Sequence, residues 1–280
     1  MDKIINLQSL NMLKKAARIE KTYYGTGEFQ FGELRLPEGR GPFPTLVLIH
    51  GGCWRNHVTL DYIAPLAEWF SRNGVATWVP EYRRLGDEGG GWPGTMLDIG
   101  LAVDALRELS ELYPLSLDRV YVAGHSAGGQ LALWAASRRY LTTQSDVFQS
   151  DPLTIVGVIG LAAITNLRAF RNEQPGGCNA AVDELLGGTP SEFGNRFDDV
   201  CPTMRLPLRV PQLFIHGLFD EVVTVDSINQ YVKSAITKGD SVKLIIVSEG
   251  GHFEPVVFTP NSAAALEASL AWIHSKGSVC

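Results

Sequence analysis

Apolar positions along the chain come in two alternating patterns. Short runs at 45–50 (TLVLIH), 75–80 (VATWVP), 119–123 (RVYVA), 155–162 (IVGVIGLA), 212–216 (QLFIH) and 242–247 (VKLIIV) are apolar at most positions. Such runs read as strands covered on both faces, as the strands of a parallel sheet are. Between them lie longer stretches with apolar residues three or four apart. Residues 95–112 carry Met96, Ile99, Val103 and Leu106 at that spacing, and 60–73, 127–139, 225–238 and 262–275 read as helices in the same way. An earlier segment, 29–36 (FQFGELRL), alternates around Gly32 as a partly exposed strand. Strand and helix taking turns predicts an α/β fold with a mostly parallel central sheet and helices on both faces.

The rhythm breaks over 166–211, which has no clear strand and carries PGG, GGTP and several charges. A stretch of that length inside a compact fold is usually functional, so it is read as a small cap or insert over the carboxyl edge of the sheet. The whole of 1–280 otherwise reads as one domain, with an N-terminal helical segment in 1–25. Within that segment 7–21 is amphipathic, with Leu10, Leu13 and Ala17 on one face. Three roles fit it: packing on the domain, covering the active site, or a homodimer contact.

Charge and composition act mainly by exclusion. The chain has 24 Lys and Arg against 30 Asp and Glu, a net charge of −6, with no basic cluster; a nucleic-acid partner is not expected. No apolar run approaches the ~20 residues that span a bilayer, so no membrane partner is expected either. The first 25 residues lack an apolar stretch followed by a small-residue cleavage site, and a cytoplasmic location is the expectation. The four cysteines, Cys53, Cys178, Cys201 and Cys280, form no CxxC and no Cys/His group with zinc spacing. Each reads as a free thiol, Cys178 and Cys201 being the pair whose shared insert makes a bridge conceivable.

The chemistry concentrates in four segments. Gly124-His125-Ser126-Ala127-Gly128 fits G-x-S-x-G and lies between a predicted strand and a predicted helix. A nucleophile on such a turn needs small neighbours because the backbone packs closely there, and the helix N-terminus favours negative charge beside it. A serine hydroxyl needs a base, and of the histidines at 50, 57, 125, 216, 252 and 274, His252 sits in a Gly-rich loop (SEGGHFE) just past a strand. His50 and His216 end apolar strands and read as loop-tying, His125 as an ordinary neighbour of the nucleophile, His57 as an exposed loop residue, and His274 as part of a helix. A carboxylate must orient the imidazole. Asp220, in HGLFDEVV, follows a strand at the same predicted edge, with Glu221 and Asp226 as competitors; Asp98 and Asp104 lie on a helix and read as structural. Finally, His50-Gly51-Gly52-Cys53-Trp54 ends a strand with adjacent glycines, which allow backbone N–H groups to turn toward a developing oxyanion.

The HGGxW, GHSAGG, HGxxD and GGHF segments together resemble the α/β-hydrolase superfamily over about 42–272, in particular its esterase branch related to hormone-sensitive lipase and to acetylxylan and feruloyl esterases. The chain order Ser126, Asp220, His252 is that of α/β-hydrolases. The resemblance implies Ser126 as nucleophile, Asp220 as orienting acid and His252 as general base, with oxyanion donors at the amides of Gly52, Cys53 and Ala127. Where many relatives carry a third glycine this chain has Cys53, whose side chain would narrow or line the pocket. The implied activity is serine-dependent hydrolysis of small carboxylic esters without metal or cofactor, on a small-molecule ester or amide substrate. Kynurenine formamidases carry a similar HGGxW loop, GHSAG elbow and HFE segment, so cleavage of an aryl formamide or other small amide is the alternative. Trp54, Tyr82, Trp92 and Phe253 fall beside loops at the predicted catalytic edge and are candidates for lining the substrate pocket, with Gly89, Gly90 and Gly91 suggesting a mobile loop around Trp92.

Overall fold

The structure is a computed structural model that describes residues 20–173 and 177–275. The N-terminal segment 7–21 and Cys280 therefore fall largely or wholly outside the described residues.

Eight strands form one sheet: β1 (Glu20–Tyr23), β2 (Phe31–Arg35), β3 (Phe43–Ile49), β4 (Ala76–Pro80), β5 (Leu115–His125), β6 (Gly157–Leu161), β7 (Gln212–Gly217) and β8 (Val242–Val247). They lie in the order β1-β2-β4-β3-β5-β6-β7-β8. Pairings from β4 to β8 are parallel, and β1–β2 and β2–β4 are antiparallel. The six apolar runs are the parallel strands, each within a few residues of its expected ends except β5, which starts earlier. Where the described residues begin, the helical reading of 1–25 is corrected: Glu20–Tyr23 is the short, half-exposed strand β1, which EKTY does not announce because it presents no apolar alternation.

Around the sheet lie α1 (Ala64–Arg72), α2 (Gly94–Asp104), α3 (Leu106–Leu112), α4 (Ala127–Ser137), α5 (Leu167–Phe170), α6 (Gly177–Leu186), α7 (Gly194–Val200), α8 (Val225–Thr237) and α9 (Ala263–His274). Two of the expected helices are divided: a 3-10 turn, Leu60–Tyr62, precedes α1, and the helix expected over 95–112 is split at Ala105. α8 illustrates the local logic. Thr224 caps it by accepting from the Ser227 amide, and Ile228, Tyr231 and Ala235 recur on one face to meet the sheet.

The period-two alternation of the strands divides the core into two layers. Val47 and Ile49 of β3, with Val120 and Val122 of β5, face Ile99, Leu131 and Trp134. Leu46, Leu48, Tyr121 and Ala123 point the other way, onto Leu66, Phe70 and Trp272. α4 is buried along its entire length, which explains why its sequence is apolar all round.

Over 166–211 the structure refines the expectation. No strand forms among the described residues there, but α5, α6 and α7 are packed into the main core: Val182, Leu185, Leu186, Phe197 and Val200 are buried with Leu131 and Trp134. The segment is fused to the sheet edge along this apolar face. The glycines at 89–91 likewise reflect close packing, since a Cβ on Gly90 would lie 1.8 Å from the Arg84 carbonyl oxygen.

Candidate active site

In a parallel sheet the carboxyl ends of the strands share one edge, where ligands gather. Here the loops after β3, β5, β7 and β8 meet, bringing Ser126, Asp220, His252 and the 50–54 segment together. An apolar-walled cavity of about 180 Å³ opens among them, lined by Gly52, Cys53, His57, Val58, Tyr62, His125, Ser126, Cys178, Val222, His252 and Phe253.

Ser126 stands between β5 and α4 at φ 55°, ψ −118°, a conformation that costs an L residue about 1–3 kcal/mol. Packing enforces it. A Cβ on Gly124 would lie 2.0 Å from the Gly128 oxygen, and one on Gly128 would lie 2.3 Å from the His50 and Ile49 oxygens. The elbow therefore admits only glycine at positions 124 and 128. The Ser126 amide donates to the Leu161 carbonyl (2.9 Å) and the Ile164 amide to the Ser126 carbonyl (3.2 Å), tying the turn to the end of β6.

Asp220 is fully committed. One oxygen, Oδ1, accepts the amides of Val222 and Val223, both at 2.9 Å, and Oδ2 lies 2.8 Å from His252 Nδ1. Burial works to raise its carboxyl, but the hydrogen bond and charge of His252 outweigh it, with help from the Val223 amide, and hold the group below its ordinary value. With Oδ2 as acceptor, Nδ1 of His252 carries the hydrogen and Nε2 is left as the basic atom. Glu221 is exposed, and Asp226 lies in the first turn of α8; neither is the partner of His252. Among the described residues no hydrogen bond joins Ser126 to His252, although both line the cavity. Such contacts are often long before substrate binds.

The loop after β3 turns back sharply, with Cys53 at φ 55° and Trp54 at φ 56°. Several contacts hold it. The Arg55 amide donates to the Gly52 carbonyl (2.9 Å), and the Leu85 amide to the Trp54 carbonyl (2.7 Å). The Trp54 indole N–H donates to Gln130 Oε1 (3.0 Å), while Gln130 Nε2 donates to the Val200 carbonyl (2.9 Å). Cys53 is bridged to Cys178 of α6, with Cα atoms 4.9 Å apart, inside the normal range for a disulfide. Arg55 adds an ion pair to Glu184 of the same helix at 2.6 Å. This corrects the free-thiol reading of Cys53 and Cys178, and it removes the Cys178–Cys201 pairing: Cys201 is a buried free thiol that accepts from the Leu167 amide at 3.3 Å. The pairing was hidden because its partners are 125 residues apart and meet only when the insert packs on the loop after β3. Among the described residues, the amides of Gly52, Cys53 and Ala127 donate to no backbone or side-chain acceptor.

Of the four aromatic candidates for the pocket, only Phe253 lines the cavity. Trp54 and Tyr82 are fully buried, and the Tyr82 hydroxyl donates to the His50 carbonyl at 2.9 Å while its ring stacks on His50. Trp92 lies outside the cavity, its indole N–H 3.2 Å from Asp146. All three are braces. Missed by the sequence reading were Val58, Tyr62, Val222 and Cys178, which no motif marks, and His125, whose ring proves central. His50 and His216 are loop-tying as expected, bonded to Glu81 (2.7 Å) and to the Val223 carbonyl (2.8 Å). His57 is exposed at the cavity mouth. Asp98 is structural, holding the Arg83 guanidinium through two bonds of 2.7 and 2.9 Å and its amide through a third of 3.0 Å.

The fold has many solved counterparts. Esterase B from Lactobacillus rhamnosis superposes with a TM-score of 0.79 at 19% identity, covering 93% of this chain and 86% of its own. Propionate-bound esterase 2 from Thermogutta terrifontis gives 0.72 at 18%, with 92% and 94% covered. A bifunctional GH43-CE protein from Bacteroides eggerthii gives 0.77 at 19%, where 92% of this chain matches only 38% of that larger one. Likeness at these identities establishes the α/β-hydrolase fold. Among curated proteins, no sequence matches this chain. The BD-FAE family model matches residues 33–234, most of the chain and all of the sheet edge up to the Asp220 loop. The chain thus belongs to the BD-FAE family of α/β-hydrolase esterases, which makes it a carboxylic ester hydrolase.

Proposed function

We propose that the esterase activity is a two-step serine hydrolysis of short-acyl carboxylic esters, with Ser126 as nucleophile, His252 as general base and Asp220 as the acid that orients it. The observation that carries this reading is the His252–Asp220 hydrogen bond at 2.8 Å, on the same cavity as a serine presented by a strained elbow. Ser126 Oγ attacks the ester carbonyl while His252 Nε2 takes its proton; Asp220 stabilises the imidazolium. The amides of Gly52, Cys53 and Ala127 receive the oxyanion, and the N-terminus of α4 favours charge there. His252 then protonates the leaving alkoxide, and water activated by the same histidine releases the acyl group.

Pocket size sets the substrate class. An apolar cavity of roughly 150 Å³ holds a benzene-sized ligand, so about 180 Å³ accommodates a short acyl chain or one ring. Among the described residues no helix is long and apolar enough to cross a membrane. The cytoplasmic location is part of the proposal only with Cys53 and Cys178 reduced, because disulfides persist mainly in oxidising compartments.

The test is hydrolysis of p-nitrophenyl acetate, butyrate and octanoate beside N-formylkynurenine by wild type and Ser126→Ala. The expected result is Ser126-dependent turnover that favours acetate and butyrate. Turnover surviving Ser126→Ala overturns the mechanism. Formamide cleavage far above the esters replaces the substrate class with the small-amide one.

A further inference from the structure

Tyr62 lies 2% exposed on the 3-10 turn before α1. No motif marks it, and the two-step mechanism gives it no step. Its hydroxyl nevertheless lies 2.5 Å from the Gly51 nitrogen and 2.9 Å from His125 Nδ1. His125 Nε2, in turn, lies 2.9 Å from the backbone carbonyl of His252.

Every proton in this chain of contacts can be placed. The Gly51 N–H can only donate, so the Tyr62 oxygen accepts it. The His252 carbonyl can only accept, so His125 Nε2 carries a hydrogen. Burial, then the neighbouring His252, pushes the His125 imidazole down to about 3, which keeps it neutral at working pH and leaves Nδ1 bare. Tyr62 must then donate to Nδ1. The bonds run in one direction: Gly51 N–H to Tyr62 O–H to His125, and His125 Nε2–H to the His252 carbonyl.

Three loops meet in that run. Gly51 precedes two of the three oxyanion amides, His125 precedes the nucleophile, and His252 supplies the base. The approach is so close that a Cβ on Gly51 would fall 2.6 Å from the His125 oxygen and 2.9 Å from the Tyr62 hydroxyl. His252 is thereby held from two sides, by Asp220 at its ring and by His125 at its backbone.

We propose that Tyr62 is a positioning residue for ester hydrolysis, its hydroxyl holding the oxyanion loop, the serine elbow and the histidine loop in one register. The inference rests on the triad and oxyanion assignment proposed above. Tyr62→Phe keeps the ring that lines the cavity and removes only the hydroxyl, so substrate contact is conserved while the register is loosened.

The experiment measures p-nitrophenyl acetate hydrolysis and inhibition by phenylboronic acid, whose tetrahedral serine adduct uses the oxyanion donors, for wild type, Ser126→Ala, Tyr62→Phe, His125→Phe and the last two combined. Since small displacements of reacting groups carry large penalties, kcat of Tyr62→Phe should fall on the order of 10- to 100-fold with KM within about twofold. Boronate inhibition should weaken by a similar factor. His125→Phe keeps a ring of similar size and loses both the acceptor for Tyr62 and the donor for the His252 carbonyl. The combined variant should therefore lose less than the product of the two single losses. A wild-type kcat in Tyr62→Phe, a loss in KM alone, or strictly multiplicative losses overturns the proposal. If Tyr62→Phe does not fold, a wild-type kcat and boronate affinity in His125→Phe overturn it, and a fall in both supports it. Activity that survives Ser126→Ala instead overturns the site assignment beneath it.

Discussion

Opening the Cys53–Cys178 bridge tests how the insert is coupled to the loop after β3. The perturbation is Cys178→Ser, compared with wild type with and without dithiothreitol. The bridge spans 125 residues of sequence, and closing a loop of that length removes chain entropy equivalent to about 5 kcal/mol from the unfolded state. For a chain of 280 residues, the full amount corresponds to a fall in melting temperature of about 8 °C; residual structure in the unfolded chain reduces it, so between about 4 and 8 °C is expected. Differential scanning fluorimetry reads this directly, and mass spectrometry of an unreduced digest identifies the linked peptides.

The same substitution should also reach activity. Cys53 and Trp54 both sit in the left-handed region, at φ 55° and 56°, at about 1–3 kcal/mol each. Removing one restraint of about 1 kcal/mol shifts the ratio of held to relaxed loop about fivefold and should lower kcat by at most about fivefold, while KM, set by the remaining apolar wall, changes less. Two results would refute the reasoning. Free thiols at both positions in air-oxidised protein remove the bridge itself. Equal melting temperatures for a demonstrably bridged protein and its reduced form remove the entropic coupling.

Further outcomes follow from the same geometry. Asp220→Asn, which retains the size but not the charge that orients His252, should lower kcat for p-nitrophenyl acetate by on the order of 10³- to 10⁴-fold with little change in KM. Val58→Trp intrudes on a cavity of about 180 Å³ and should cut the butyrate-to-acetate ratio of kcat/KM by about tenfold or more; Trp92→Ala should leave that ratio unchanged. His125 titrates near 6.5 when unfolded and is pushed down to about 3 in the fold. Between those values the unfolded chain binds one more proton, so stability rises with pH by about 1.4 kcal/mol per unit and is lost as pH falls. Urea unfolding at pH 6.5 and 4.5 should show that slope reduced by one proton in His125→Gln.

The sheet was readable because each parallel strand is buried on both faces and shows it as an uninterrupted apolar run. Ser126, Asp220 and His252 were readable because each follows such a run within a short loop, so chain order alone sets them on one edge. The groups that hold them carry no such signature. Tyr62 acts from a 3-10 turn, His125 looked like a bystander beside the nucleophile, and Cys178 lies in the insert whose approach depends on long-range packing. Trp54, Tyr82 and Trp92 misled because proximity in sequence to a catalytic loop does not say which way a ring points. The first two turn inward to satisfy polar groups on Gln130 and His50, and Trp92 turns toward Asp146.

The positive-φ residues at Cys53, Trp54 and Ser126 explain why so much of the molecule is committed to this edge. Strained backbone persists only where its surroundings over-determine it. For Ser126 the determinants are local: glycine neighbours with no room for a Cβ, and hydrogen bonds to the end of β6. The loop after β3 adds to its own turn and its glycines restraints from distant segments: Tyr62 on the Gly51 amide, Gln130 on the Trp54 indole, and α6 through both the cystine and the Arg55–Glu184 pair. Gln130 also bonds the Val200 carbonyl at the end of α7, so the loop is braced from the insert side by a covalent and a hydrogen-bonded route. An insert free to swing as a lid would release those restraints each time it opened. Its fusion to the core is therefore what the oxyanion site proposed above requires, with the exposed Val222 and His57 lining the cavity beside it.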